Sequence, residues 1–292
     1  TVTARDAQEQ GITLSLNIVP DSLVDQQHRA GEFDPAEVPL NEKNLAYRAA
    51  AAMAQAHGLT VNDLNLHLHI DKAVPVAGGM AGGSADAAAA LLAVDQYLYE
   101  KRLTERTLGL EELLALAAPL GADVPFVVRA AFPLGGLAVG EGTGTELSIV
   151  ELPEDMIPLD IVLVAASEGL STPQVFSELD EGRTAGRYPE ADDLQVPSGL
   201  LHALTQTETP IARIHEIGRQ LRNDLQGPAV TLAPGLETIL TMDNESIVEA
   251  FVSGSGPTVA ILVEDAPAAD ELAAALRRRG RHAVATQTPA ML

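Results

Sequence analysis

The stretch PVAGGMAGGSADAAAALLAV, residues 75–94, places four glycines (Gly78, Gly79, Gly82 and Gly83) directly before a run of alanines and leucines. Glycine leaves its backbone N–H uncovered and reaches positive φ easily, so several N–H groups can converge on one anion. The run that follows predicts a helix over 84–99, whose first N–H groups and dipole also attract an anion. The stretch therefore predicts either a phosphate-binding loop or a tight strand-to-helix turn.

The glycine spacing fits neither of the two familiar phosphate-binding templates. A dinucleotide-binding G-x-G-x-x-G and a Gly-Lys-Ser/Thr loop are both absent, since Ser84 directly follows Gly83 without a lysine. Ser84 and Asp86 are candidate N-cap or first-turn residues of the helix. Gly82 is expected to have a positive φ, where a larger side chain would be strained and would block the approach of a phosphate.

The composition excludes several classes of protein. The chain has 292 residues, 46% of them apolar, with no Cys, and 18 basic against 41 acidic residues give a net charge of −23. Such a surface repels nucleic acid and anionic membranes, and no apolar run reaches the roughly 20 residues that span a bilayer. We expect a two-domain cytoplasmic protein that is a monomer or a weak homodimer.

The pattern along the chain predicts mixed α and β structure. ITLSLNIV (12–19) and NLHLHID (65–71) alternate and predict strands, with a polar loop over 20–39 between them. Residues 135–147 predict a hairpin, and Pro153 and Pro158 bracket a linker. The second half is expected to form an α+β sandwich that opens with a strand at 159–166. The predicted helices are 45–58, 84–99, 110–121, 173–181, 211–224 and 267–279.

Two histidines on the second strand offer a possible metal site. His67 and His69 are two residues apart and so share one face of the strand. Because no third ligand is nearby, a solvated polar face is the favoured interpretation over a metal site.

Residues 75–91 resemble the second motif of the GHMP kinases, the family of galacto-, homoserine, mevalonate and phosphomevalonate kinases. NEKNLAYRAA (41–50), LGADVPFVV (120–128) and SGSGPTVA (253–260) match the family in order. TPQVF (172–176) and RNDLQGPAV (222–230) agree with one branch, which uses ATP to phosphorylate the 2-hydroxyl of a cytidyl diphosphate ester in the non-mevalonate route to isoprenoid precursors. The rival functions are another GHMP kinase, of the homoserine or mevalonate type, and a non-catalytic nucleotide-binding protein.

The resemblance implies a fold with two domains. Residues 1–152 would form an N-terminal ATP-binding α/β domain like ribosomal protein S5, and residues 153–292 a C-terminal ferredoxin-like α/β sandwich.

The resemblance also implies roles for individual residues. Asp123 would act as the base or orienter for the substrate hydroxyl, although alone it indicates a turn or an N-cap. Thr172 would contact the cytidyl substrate, although locally it indicates an N-cap with Pro173 as the first helical residue. Phe176 would stack on cytosine instead of joining the core. Asn44 and Leu45 would line the adenine pocket or simply start a helix. Mg²⁺ would be bound mainly through ATP, with no protein metal ligand. The ATP phosphates would lie against Pro75, Val76, Ala77, Gly78, Gly79, Met80, Ala81, Gly82, Gly83, Ser84 and Ala85.

One family motif has no match in this sequence. The family's first motif, Pro-x-Lys-x-Asn-Leu, carries a lysine that neutralises the transferring phosphoryl group. Among the three lysines, only Lys43 precedes Asn-Leu, and it lacks the spacer residue. The resemblance therefore leads us to expect about 30 to 45 further N-terminal residues in the native gene, forming a strand beside ITLSLNIV.

Overall fold

The computed structural model describes residues 1–132, 136–151, 158–167, 169–190, 196, 198–205 and 210–288. The chain divides into two compact units. The first contains residues 1–73 and 81–150, and the second contains residues 74–80 and 151–292. The predicted domain boundary at 152/153 and Pro153 of the predicted linker lie outside the described residues.

The first unit consists of a three-stranded sheet, a separate hairpin and helices. β3 is central in the order β1-β3-β2, antiparallel to β1 and parallel to β2, while β4 and β5 form the hairpin. Its elements are β1 (Val2–Asp6), β2 (Gly11–Ile18), α1 (Leu23–Arg29), α2 (Leu45–Ala56), β3 (Asn65–Lys72), α3 (Gly82–Glu100), α4 (Leu110–Ala117), α5 (Val124–Ala130), β4 (Ala138–Glu141) and β5 (Glu146–Ile149).

The alternation along β3 builds the core of the first unit. Leu66, Leu68 and Ile70 are buried on one face of the strand, in one cluster with residues of α2 and α3. Many of the buried helix residues are alanines, such as Ala49 and Ala87, which let the helices approach closely. The predicted strand at 65–71 is confirmed, and it extends by one residue.

The second unit is built on a four-stranded antiparallel sheet of order β7-β8-β6-β9. The chain passes through β6, helices, β7, β8, α11 and β9, which is the ferredoxin-like arrangement that the resemblance implied. Its elements are β6 (Asp160–Ala165), α6 (Thr172–Thr184), α7 (Ser198–Thr205), α8 (Pro210–Gln220), α9 (Gln226–Leu232), α10 (Glu237–Leu240), β7 (Ile247–Val252), β8 (Val259–Val263), α11 (Ala266–Arg278) and β9 (His282–Gln287).

Several local expectations differ from the structure, and the predicted helix at 211–224 ends at Gln220. The predicted polar loop at 20–39 is wrong because it contains α1, which Ser22 caps by accepting a hydrogen bond from the Asp25 backbone N–H at 3.2 Å. The predicted hairpin forms β4 and β5, so its second strand extends beyond residue 147, and Gly135 lies outside the described residues. Helix α3 begins at Gly82, two residues before the predicted start, so Ser84 and Asp86 are not its N-cap.

Candidate active site

The first part of the glycine stretch, residues 74–80, belongs to the second unit, where it contacts the SGSGPT turn. Gly79 has a φ of +71°, and a methyl group there would lie 2.3 Å from the carbonyl oxygen of Ser253. The Ser253 hydroxyl donates a hydrogen bond to the Gly79 carbonyl at 2.9 Å. Only glycine fits this position, because a methyl group would overlap the Ser253 carbonyl oxygen and the positive φ further disfavours a side chain.

The backbone conformation of the other three glycines of the stretch differs from that of Gly79. Gly82 and Gly83 are the first two residues of α3, and Gly79 alone of the four glycines has a positive φ. The expected positive φ at Gly82 is therefore wrong. Alanines take positive φ instead, at Ala77 (51°) and Ala81 (50°).

The second part of the stretch, in the first unit, forms the start of α3. Ala81 is the N-cap residue and makes no side-chain capping hydrogen bond. The N–H groups of the first turn point out of a helix without intrahelical acceptors, and the dipole adds positive potential there. Ser84 contributes a hydroxyl in this first turn. The arrangement suits a bound phosphate group.

A buried ion pair lies one turn further along α3. Lys72, the last residue of β3, is 5% exposed, and its Nζ is 2.6 Å from Oδ2 of Asp86. The pair ties the end of the strand to the helix that begins at Gly82. Sequence reasoning missed it, although Lys72 has the same strand parity as Leu66, Leu68 and Ile70 and so had to lie on the buried face.

Asp123 lies at the N-terminus of α5 with its carboxylate unused for capping. It occupies the N-cap position with φ −86° and ψ −14°, makes no side-chain capping hydrogen bond and is exposed. The Asp123 side chain therefore lacks the capping role that its local sequence suggested. The turn before it approaches the start of α3, since a methyl group on Gly121 would lie 3.7 Å from the Ser84 hydroxyl. The first unit thus brings an open carboxylate and the candidate phosphate site into one neighbourhood.

Asn44 and Leu45 lie at the start of α2. Asn44 caps the helix through its Oδ1, which accepts from the Ala46 N–H at 2.9 Å, and its Nδ2 donates to the Pro39 carbonyl at 2.7 Å. Leu45 adjoins the glycine stretch, because a methyl group on Gly83 would lie 3.4 Å from Leu45 Cδ1. Asn44 thus has a structural role, and Leu45 remains a candidate for the adenine pocket.

Thr172 and Phe176 lie on α6 in the second unit. Ser171 is the N-cap residue, so the predicted capping by Thr172 is wrong, and the Thr172 hydroxyl lies 2.8 Å from the Ser255 hydroxyl instead. The Phe176 side chain is 49% exposed, which leaves its ring available for stacking and separates it from the core.

The two histidines of β3 face strand β2. The Ser15 hydroxyl lies 2.7 Å from His67 Nε2 and 2.7 Å from His69 Nδ1. Burial and the nearby Arg5 and His69 charges lower the pKa of His67. Within the described ranges, no three His, Asp or Glu side chains are placed to hold a metal ion. None of the described helices is long and apolar enough to cross a bilayer.

The chain matches both the N-terminal and the C-terminal domain of one enzyme family. Residues 44–130 match the GHMP kinases N terminal domain, and residues 201–282 match the GHMP kinases C terminal domain. A 4-diphosphocytidyl-2-C-methyl-D-erythritol kinase from Paenarthrobacter aurescens (strain TC1) is 42% identical over 289 residues, which are 99% of this chain and 81% of that protein. The kinase of the same name from Corynebacterium jeikeium (strain K411) is 42% identical, over 88% of this chain and 71% of that protein.

Solved structures agree with the sequence relatives. A crystal structure of 4-(cytidine 5'-diphospho)-2C-methyl-D-erythritol kinase superimposes with a TM-score of 0.66 at 27% identity, covering 98% of this chain and 84% of that one. A homoserine kinase from Cytophaga hutchinsonii superimposes with a TM-score of 0.65 at 16% identity, covering 99% of this chain and 85% of that one, which shows the shared fold alone.

The chain therefore belongs to the GHMP kinase family, whose members use ATP. Within it, the curated relatives place the chain among the 4-diphosphocytidyl-2-C-methyl-D-erythritol kinases and favour that branch over the homoserine and mevalonate types.

Proposed function

We propose that the chain transfers the γ-phosphoryl group of ATP to the 2-hydroxyl of 4-diphosphocytidyl-2-C-methyl-D-erythritol, a step toward isoprenoid precursors. The names of the relatives support this substrate. The observation that carries the mechanism is the open carboxylate of Asp123 on a turn that adjoins Ser84, at the start of a helix suited to phosphate. In this proposal residues 1–152 bind ATP, and residues 153–292 form the C-terminal domain.

Residues 75–85 would hold the ATP phosphates. Glycine and alanine have small side chains, so the backbone N–H groups from Gly78 to Ser84 would be accessible to phosphate oxygens. Mg²⁺, bound mainly through the ATP phosphates, would supply charge neutralisation at the transferring group. The chain itself adds the positive end of the α3 dipole to that neutralisation.

Asp123 would place the acceptor hydroxyl and take its proton. The hydroxyl oxygen forms a bond to the γ-phosphorus, the bond from that phosphorus to the β–γ bridging oxygen breaks, and ADP leaves with the bonding electrons. The hydroxyl proton passes to the Asp123 carboxylate and from there to solvent. Because bond formation is weak in a loose transition state, the main contribution of the carboxylate is to orient the hydroxyl in line.

Thr172 and Phe176 would recognise the cytidyl group. A half-exposed aromatic ring on α6 suits stacking on cytosine, and the Thr172 hydroxyl adds a polar group on the first turn of the same helix.

The test is product formation with purified protein. ATP is supplied with 4-diphosphocytidyl-2-C-methyl-D-erythritol, homoserine or mevalonate, and the phosphorylated product is identified by mass spectrometry and phosphorus NMR. We expect turnover of the cytidyl substrate only. Phosphorylation of homoserine or mevalonate in its place, or ATP binding without any transfer, would contradict the proposal.

A substitution tests the proposed role of Asp123. Asp123→Asn is expected to lower kcat by roughly 100-fold or more with little change in the KM for ATP, because it removes a proton acceptor and not a phosphate contact. Asp265→Asn is the matched control, since Asp265 is also at a helix N-terminus but caps it by accepting from the Ala268 N–H at 2.8 Å. A kcat for Asp123→Asn within a few-fold of the parent would return Asp123 to a turn role.

A further inference from the structure

The stretch RNDLQGPAV (222–230) has no part in the proposed phosphoryl transfer, yet both polar atoms of the Asn223 side chain make hydrogen bonds. Asn223 lies between α8 and α9. Its Nδ2 donates to the carbonyl of Val252 at 2.7 Å and to the carbonyl of Gly254 at 2.8 Å. Its Oδ1 accepts from the Leu225 N–H at 2.9 Å. One side chain thus joins the start of α9 to the end of β7 and to the turn that follows β7.

A neighbouring residue strengthens the same connection. Gln226 accepts through Oε1 from the Val252 N–H at 3.0 Å. Both backbone polar groups of Val252 are therefore held by side chains of the RNDLQ segment. The SGSGPT turn starts at the next residue, so its point of departure from the sheet is fixed by this segment.

The turn then determines the backbone of the glycine stretch. Within the turn, the Gly256 N–H donates to the Ser253 carbonyl at 2.9 Å. A methyl group on Gly254 would lie 2.8 Å from the carbonyl oxygen of Gly79, and the Ser253 hydroxyl donates to that same oxygen. Asn223, the turn and Gly79 all belong to the second unit and form one continuous chain of contacts.

From these contacts we infer that Asn223 is a positioning residue for nucleotide binding: it holds the SGSGPT turn in the place where the turn fixes the Gly79 backbone. The inference rests on the proposed binding of ATP phosphates by residues 75–85. Asn223 would act through the turn and not through a contact with phosphate. A side-chain amide is required, because the carbonyl oxygens of Val252 and Gly254 need two N–H donors while the Leu225 N–H needs an acceptor, and only an amide supplies all three.

Asn223→Asp tests the inference with almost no change in shape. A carboxylate oxygen would face the two carbonyl oxygens in place of the amide N–H groups, so the turn must move. We expect the dissociation constant of a non-hydrolysable ATP analogue, measured by calorimetry, to rise about tenfold or more, as the loss of two hydrogen bonds implies. The KM for ATP rises in parallel, and the KM for the cytidyl substrate changes by less than about threefold.

Asn244→Asp is the matched control. Asn244 also accepts a hydrogen bond from a backbone N–H, that of Ser246 at 2.9 Å, in the turn before β7. The substitution adds the same negative charge to the same unit without touching the SGSGPT turn. Nucleotide affinity is expected to stay at the parent value.

A double-mutant cycle tests the route through the turn. Ser253→Ala removes the hydroxyl that binds the Gly79 carbonyl, so Asn223→Asp should weaken nucleotide binding less in that background than in the parent. Strict additivity would overturn the route. Asn223→Ala, which introduces no charge, replaces Asn223→Asp in the cycle if the latter does not fold.

The outcomes separate this inference from the proposed function. Parent-like nucleotide affinity in folded Asn223→Asp or Asn223→Ala, with only a lower melting temperature, would overturn the positioning role. ATP binding by the parent without phosphorylation of the cytidyl substrate would overturn the substrate assignment alone. A parent that binds no ATP would overturn both.

Discussion

The two parts of the glycine stretch are held by different kinds of interaction. Residues 74–80 contact the SGSGPT turn through neutral hydrogen bonds and through a backbone approach that excludes even a methyl group at Gly79. Residues from Ala81 onward enter α3, which the buried Lys72–Asp86 ion pair ties to β3. Close backbone packing thus holds the first part in place, and a buried ion pair holds the second. Different substitutions should therefore disable them.

The largest expected effect is that of Gly79→Ala on nucleotide binding. Steric overlap of about 1–3 kcal/mol adds to about 1–2 kcal/mol for a side chain at positive φ, so ATP affinity should fall by roughly 100-fold or more. Calorimetric titration with an ATP analogue measures this change. Gly83→Ala, where the methyl group would lie 3.4 Å from Leu45 Cδ1, should weaken binding far less.

Gly186→Ala is the control for the backbone angle. Gly186 has the same φ of +71° and no heavy atom within 4 Å of the added methyl group. It should lose a little stability and keep its ATP affinity. Equal losses of affinity at Gly79 and Gly186 would show that strain alone, and not the contact with the turn, accounts for the effect.

The next largest effect is expected on the free energy of unfolding when the Lys72–Asp86 ion pair is broken. Lys72→Met leaves the Asp86 carboxylate without its partner in a largely buried place and should lower the free energy of unfolding by about 3 kcal/mol. The double variant Lys72→Met/Asp86→Leu should recover most of that loss, because no charge remains buried. Urea denaturation followed by circular dichroism measures both. Losses that simply add in the double variant would contradict the description of the two residues as one pair.

A smaller effect is expected on the binding of the cytidyl substrate. Phe176→Ala should raise the KM for the cytidyl substrate by roughly 5- to 150-fold, in line with about 1–3 kcal/mol for stacking of a base on an aromatic ring, and leave the KM for ATP unchanged. Ile211→Ala, at a residue that is 61% exposed on α8, controls for the loss of surface apolar area. Equal changes in both KM values together with lower stability would mark Phe176 as a structural residue.

The smallest effect is expected at an exposed ion pair of the first unit, which contrasts with Lys72–Asp86. Arg106 donates two hydrogen bonds of 2.7 Å to Glu112, and with the Gly109 N–H it lowers the pKa of Glu112 from 4.5 to about 2. Because the pKa is lower in the folded state, the contribution to stability is present above pH 4.5 and is lost as the pH falls toward 2.

Glu112→Gln should therefore change the melting temperature at pH 7 by less than about 2 °C, since water and salt screen an exposed pair. The variant should also show a weaker fall in stability than the parent between pH 4.5 and pH 2. Scanning calorimetry across this pH range measures both. A loss comparable to that of Lys72→Met would show that burial does not distinguish the two pairs.

Much of this fold could be predicted from local patterns. β2 and β3 follow from clear alternation, β6 from a continuous apolar run and α3 from an alanine-rich run, and the family resemblance predicts the topology of the second unit. Strand β1 has the sequence VTARD, whose short and charged pattern carries little strand signal, and it forms because β3 offers it a partner. The sequence predicts a loop in place of α1 because LVDQQHR has only two strongly apolar residues, Leu23 and Val24, both of which are buried in the structure.

The candidate site could be predicted only where the signal lies within one motif. The glycine stretch and Asp123 belong to continuous motifs, so sequence alone could propose them. Asn223 could not be linked to Gly79, because the connection passes through a turn about 30 residues beyond Asn223, with Val252 and Gly254 at separations of 29 and 31. The Lys72–Asp86 pair likewise depends on how β3 and α3 approach each other, which strand parity indicates only after the fold is known.

The hydrogen bond between Gly79 and Ser253 also has a consequence for synthesis of the protein on the ribosome. The two residues are 174 positions apart. At about 5–20 residues per second, Gly79 is synthesised roughly 9–35 s before the serine that binds it. Through that interval residues 74–80 lack the turn that they contact, even if the first unit has already folded. On the proposal that residues 75–85 bind the ATP phosphates, nucleotide binding becomes possible only late in translation, after β7 has emerged, and a nascent chain released before that point would be unable to retain ATP.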